Sequence, residues 1–140
     1  ISTSNSGVSI LEQLNKINKK NILFFNKEEK IFKEKELKLI SQKNIISETD
    51  FNSKVKKLKT EINDYNQEKN KIINNFKKLK ADNTNKLSMS INKILVEYSV
   101  DKSVSFILQK KNLIIGKTEL DITDKIIKIV NKKVSKFKVE

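Results

Sequence analysis

The side chains that most often carry chemistry are scarce in this sequence. It has no His and no Cys, which removes the usual general base, the thiol nucleophile and the zinc ligands. It has no Gly-rich phosphate loop, and the acids clustered near an ordered element are Asp121 and Asp124. A helix N-cap and first-turn role accounts for both, since a carboxylate there accepts from unpaired backbone N–H groups and meets the positive end of the helix dipole. No enzyme activity, metal or cofactor is expected. What remains is charge: thirty Lys, no Arg and seventeen acids give a formal net charge of +13. Such a surface attracts acidic or anionic partners over long range. Lys35, Lys38, Lys43, Lys54, Lys56, Lys57 and Lys59 gather around one break in the pattern. They are the candidate contacts for an acidic client or for anionic lipid or lipopolysaccharide surfaces, and a solvated helix face accounts for them equally well. Nucleic acid is not the expected partner, because bidentate recognition of phosphates and guanine edges is mostly Arg work.

The elements that must position these residues are helical. With 34% charged and 36% hydrophobic residues, no Pro and only Gly7 and Gly116, the chain lacks the punctuation of a loop-rich or many-stranded fold. Lys, Asn and Ile make up almost half of it, which matches an AT-rich coding sequence as readily as selection for function. Its 140 residues leave room for one ordinary domain. No stretch approaches about 18 consecutive apolar residues, so no membrane span is expected. The absence of Cys leaves the redox compartment open. A start at Ile1 in place of Met fits a mature or trimmed form whose signal peptide has gone.

Residues 1–6 carry no periodic signal and lead into a first helix that Ser6 or Ser9 is placed to cap. Ile10, Leu14, Ile17, Phe24 and Ile31 then fall on one stripe, widened by Phe25 and Phe32 and interrupted by Glu28 and Lys35. The pattern breaks between Leu37 and Phe51, where Ser47 followed by Asp50 makes a capping box for a second helix. A short break between two such helices predicts antiparallel neighbours. The second helix has the clearest seam: Phe51, Val55, Leu58, Ile62, Tyr65, Ile72, Phe76 and Leu79 are spaced four and three, interrupted only by Lys69. Beyond Leu79 the stripe runs through Asn83, Leu87, Ile91, Ile94 and Tyr98. The successive four-residue steps are a stutter that predicts local unwinding. About fifty residues at 1.5 Å each predict a rod on the order of 75 Å.

The last forty or so residues change character. Ser103-Val104-Ser105-Phe106-Ile107-Leu108 and Leu113-Ile114-Ile115 predict a β-hairpin around a polar turn at 109–112. Asp121-Ile122-Thr123-Asp124 caps a short amphipathic helix carrying Ile126, Ile127, Ile129 and Val130. The expected fold is therefore mainly α with a small β part. Residues 1–99 form a helical hairpin arm, with helices at about 8–43 and 47–99, and residues 100–140 form a head of β-hairpin plus terminal helix. A two-stranded hairpin is marginal in water, so this head needs further strands or further subunits.

The strand, strand and Asp121-Ile122-Thr123-Asp124-Lys125-Ile126-Ile127 ending resembles the C-terminal signature of the Skp/OmpH-like family of periplasmic chaperones. Ser6-Gly7-Val8-Ser9-Ile10-Leu11-Glu12-Gln13-Leu14 resembles that family's entry into its first helix, so the resemblance covers nearly the whole chain. It implies a homotrimer whose joined β-heads extend helical arms around a cavity, holding unfolded outer-membrane proteins in the periplasm without ATP. It also implies that Val104, Phe106, Leu108, Leu113 and Ile115 build the shared oligomerisation head. The family opens with a β-strand ahead of its first helix, and the stretch from Ile1 is too short to hold a full one. Two other readings stay open. A coiled-coil stalk or tether explains the seam but not the last forty residues, and a nonspecific basic nucleic-acid binder would lose affinity steeply with salt.

Overall fold

The computed structural model describes residues 3–134 and 137–139. Ile1 and Ser2 of the expected lead-in lie outside the described residues, as do 135, 136 and 140 of the expected head. The elements are two long helices, α1 (Asn5–Gln42) and α2 (Glu48–Asp101), two single 3-10 turns at Lys110–Asn112 and Thr118–Leu120, and a short helix α3 (Thr123–Lys133).

Several helix ends have a local cause. Ser4, not Ser6 or Ser9, caps α1: its hydroxyl oxygen accepts from the Gly7 N–H at 3.1 Å and its carbonyl from the Val8 N–H at 2.9 Å. The N–H of Asn5 is satisfied by the Asn131 side chain of α3 at 2.8 Å, so two of the orphan donors of this terminus are met by side chains. Ser47 opens α2 as its sequence predicts. It accepts from the Asp50 N–H at 3.1 Å and donates its hydroxyl proton to the Asp50 carboxylate at 2.6 Å, with Glu48 and Asp50 in the first turn. α2 ends on a Schellman motif. Val104 N–H donates to Ser99 O at 2.9 Å and Ser103 N–H to Val100 O at 3.3 Å, with Ser103 in the left-handed region at φ 52°. The N-cap of α3 is Ile122, without a side-chain cap, so the capping expected of Asp121 to Asp124 is not made. Asp121 instead closes a turn just ahead of the helix, accepting from the Thr123 N–H at 3.0 Å and hydroxyl at 2.5 Å. The Lys110 ammonium lies 2.8 Å from its other oxygen. These bonds, the Lys110 one foremost, hold the Asp121 carboxyl well below the usual carboxylate range.

The chain divides into two compact units. The first comprises Ile1–Asn15 and Leu79–Glu140 and holds nearly all the buried apolar residues: Ile10 and Leu14 of α1, Leu87, Ile91 and Ile94 of α2, and Ile126 and Val130 of α3. At about 1.5–3 kcal/mol for each fully buried large aliphatic side chain, this three-helix contact dominates the unit's stability. Asn83 is also fully buried, its amide donating to the Leu79 carbonyl at 2.8 Å. α2 continues through the stutter at Asn83 and Leu87 as unbroken helix. The second unit, Lys16–Lys78, is the two-helix hairpin end. Tyr65 is its one buried apolar residue, because a pair of helices covers only one stripe of each and closes no core around it.

The β-hairpin expected at 103–115 is not formed. Among the described residues there is no strand, and the polar turn expected at 109–112 contains the 3-10 turn Lys110–Asn112. Val104 is half-buried, while Phe106, Leu108, Leu113 and Ile115 are exposed, Phe106 at 75% and Ile115 at 90%. The physical reason is the one that made the hairpin marginal: two short strands alone bury too little apolar surface to offset the ordering of their backbone.

Candidate functional site

In the second unit, the two lysines that interrupt the seams meet partners across the hairpin. Lys69 of α2 lies 2.5 Å from Glu29 of α1 and 5.2 Å from the Phe25 ring centroid. Lys35 of α1 lies 2.6 Å from Glu61 of α2 and 5.3 Å from the Phe32 ring centroid. Each ammonium thus has a carboxylate on the opposite helix and the negative face of a ring beneath it. Both carboxyls are held below 4.5, chiefly by the bond to the lysine. Between the two pairs sits Tyr65, its ring 5.3 Å from that of Phe32. Its hydroxyl lies 3.1 Å from Glu29 and 3.3 Å from the Phe25 carbonyl. Burial first, then the charge and bond of Glu29, push its hydroxyl up to about 12.

Four of the seven candidate lysines come together here. Lys35, Lys38, Lys54 and Lys57 line a shallow cleft of about 220 Å³ with Leu39, Gln42, Leu58 and Glu61. Lys54 donates to Gln42 at 3.2 Å. Lys43, Lys56 and Lys59 are exposed and do not line it. The cleft offers one carboxylate against four ammonium groups, and Lys35 already engages that carboxylate. It can attract an anionic group but is too open to select one.

In the first unit, the five residues expected to build a head belong to a segment with little cover. Ile114 between them is 100% exposed. The Lys110–Asp121 pair closes the loop 110–121, so Leu113, Ile114 and Ile115 are presented by a closed loop, with Val104, Phe106 and Leu108 just ahead of it. A second feature gave no signal that sequence reasoning used. Gln13 donates from its amide nitrogen to the Phe137 carbonyl at 2.8 Å and accepts at its amide oxygen from the Val139 N–H at 3.2 Å. The Ser9 hydroxyl reaches the same Phe137 carbonyl at 3.4 Å, and the Ser6 hydroxyl donates to the Val134 carbonyl. The available sign was the three-then-four spacing of Ser6, Ser9 and Gln13, a polar stripe beside Ile10 and Leu14.

Among the described residues no helix is long and apolar enough to cross a membrane, and no cluster of acids is suited to a metal ion. No curated protein and no solved structure matches the chain. A family model described as outer membrane protein (OmpH-like) matches residues 1–130, which takes in both long helices, the exposed apolar segment and most of α3. Members of that family are periplasmic chaperones that bind unfolded outer-membrane proteins, not enzymes. The chain belongs to the OmpH-like outer membrane protein family of periplasmic chaperones.

Proposed function

We propose that this chain is an ATP-independent holdase that assembles as a homotrimer and keeps unfolded outer-membrane proteins from aggregating in a cavity between its helical arms. In this reading residues 1–99 supply the arm and residues 100–140 the oligomerisation head. The observation that carries it is the family match across residues 1–130. Exposure of Phe106, Leu108, Leu113 and Ile115 supports the assembly step. These are β-prone residues whose burial calls for strands from other copies, since the single chain supplies too few to close a sheet.

The client surface is many weak contacts in place of one deep pocket. Leu23, Leu37 and Ile40 are exposed along α1, and the lysines of the cleft, with Lys43, Lys56 and Lys59, add long-range attraction for acidic segments and anionic lipid or lipopolysaccharide surfaces. Several arms acting together convert such contacts into retention without nucleotide, because once one contact forms the next is intramolecular.

The test is light scattering of the purified chain, alone and mixed with a urea-diluted outer-membrane β-barrel protein, without nucleotide and at two salt concentrations. A trimer that keeps the client in solution is expected, with holding weakened at high salt if the lysines contribute. A monomer or dimer that leaves the client to aggregate overturns the reading.

A further inference from the structure

Ser6, Ser9 and Gln13 lie along one face of α1, and each bonds to main-chain groups of the segment that follows α3. A primary amide carries a donor and an acceptor in one plane, as a peptide unit does. Gln13 uses both. It takes the carbonyl of Phe137 and the N–H of Val139, groups two residues apart that point the same way in extended backbone. Exposure alternates accordingly, with Phe137 and Val139 half-buried and Lys138 exposed. Ser9 braces the arrangement, since its hydroxyl oxygen also accepts from the Gln13 amide at 3.1 Å. The family match ends at residue 130, before this segment begins.

We propose that the Ser6, Ser9 and Gln13 stripe is a binding site for an extended polypeptide backbone. Residues 137–139 are its resident occupant, and an extended segment of an unfolded polypeptide is its competitor. Recognition runs through a carbonyl and an N–H that every non-Pro segment offers at this spacing, so the site takes strands without regard to side-chain identity. That is the selectivity a binder of many unfolded β-proteins needs. The nature of the competitor rests on the holdase reading; the site itself does not.

The resident segment is joined to Val134 by two residues, so it faces the stripe at an effective concentration on the order of millimolar. A dilute peptide therefore competes poorly. A segment of a client already held beside the chain meets the stripe at a similar concentration and exchanges with it.

The test uses a labelled peptide with the sequence of residues 134–140, followed by fluorescence anisotropy. Val139→Pro in the chain removes the N–H that Gln13 accepts from, and so frees the site without touching α1. The peptide is expected to bind V139P up to about tenfold tighter than the unmodified chain, since the loss of one hydrogen bond weakens the tethered competitor by about that factor. Adding Gln13→Leu abolishes the gain, and a peptide with Pro at the position of Val139 fails to bind. A peptide in which Phe137 and Val139 are replaced by other β-formers still binds. Equal binding to V139P and to the unmodified chain, or binding indifferent to Gln13→Leu, overturns the site. Far-ultraviolet circular dichroism shows that each variant stays helical, and Gln13→Glu, which keeps the acceptor and loses the donor, gives an intermediate loss. A chain that binds the peptide but lets client aggregate sinks the holdase reading alone; one that holds client but shows no Gln13-dependent binding sinks the site alone.

Discussion

Lys69 and Glu29 face each other across the hairpin at 2.5 Å, so the residue that breaks the α2 seam is the one bonded to α1. Lys69→Glu sets two carboxylates opposite each other and is expected to lower the melting temperature of the helical signal. Glu29→Lys alone does the same, and the double reversal recovers most of the loss. The coupling should shrink as salt rises, since both groups are partly exposed. Additive effects of the two changes in a thermal melt would remove the pair from any account of the hairpin.

Acid acts on the same contacts with a definite sign. The folded Glu29 and Glu61 carboxyls lie below their ordinary 4.5. Their contribution is complete above that value and is lost as pH falls through the folded ones. Melts recorded downward from neutrality should show destabilisation beginning near pH 4.5 and a smaller loss in a Lys35→Met, Lys69→Met chain.

Tyr65 gives the alkaline counterpart. Its hydroxyl is pushed up to about 12 from 10.0, so the folded state favours the neutral form. That stabilisation is full below pH 10 and disappears as pH rises toward 12. Tyrosinate absorbance in a Tyr98→Phe background should lag behind that of the unfolded chain; a midpoint at the ordinary value would contradict the burial and bonding described. Tyr65→Phe should cost about 1 kcal/mol, the net worth of an ordinary hydrogen bond.

The two units respond differently to truncation of apolar side chains. Leu87 is 3% exposed in the three-helix contact, and Leu87→Ala should destabilise by about 2–5 kcal/mol in urea unfolding. Ile115→Ser should leave the stability of the single chain within about 0.5 kcal/mol. Its effect is expected in sedimentation, as weaker self-association. A large stability loss would show that residue 115 is packed within one chain.

Ser103 holds a left-handed conformation that glycine adopts without strain. Ser103→Gly should therefore stabilise the end of α2 by about 1 kcal/mol, and Ser103→Val should destabilise it. Equal stability of the three chains would argue against the Schellman motif.

The long helices were legible because their signals are local. Four-and-three spacing from Phe51 to Leu79 and the Ser47 and Asp50 pair each act within a turn or two of chain, whereas the side-chain cap expected for α3 is not made, Ile122 being its N-cap. Ser4 is hard to single out because two more serines, Ser6 and Ser9, follow within a few residues, and only the bond to the Gly7 N–H separates them. The expected β-hairpin failed for the opposite reason. Phe106 and Ile115 have strand propensity, but whether strands form depends on what else is present to pair with them. Gln13 was hidden because its partners, Phe137 and Val139, lie more than 120 residues away and no side-chain pattern announces a main-chain contact. Of the candidate lysines, spacing alone grouped seven, and the hairpin geometry gathered four of them into one cleft.

From Lys16 to Lys78, Tyr65 alone is buried, and every other residue is half-buried or exposed. Substitutions there remove little packing, so most are expected to be near neutral for folding. Leu87, Ile91, Ile126 and Val130 have no such latitude. What the hairpin end touches can thus drift, lineage by lineage, almost independently of whether the chain folds.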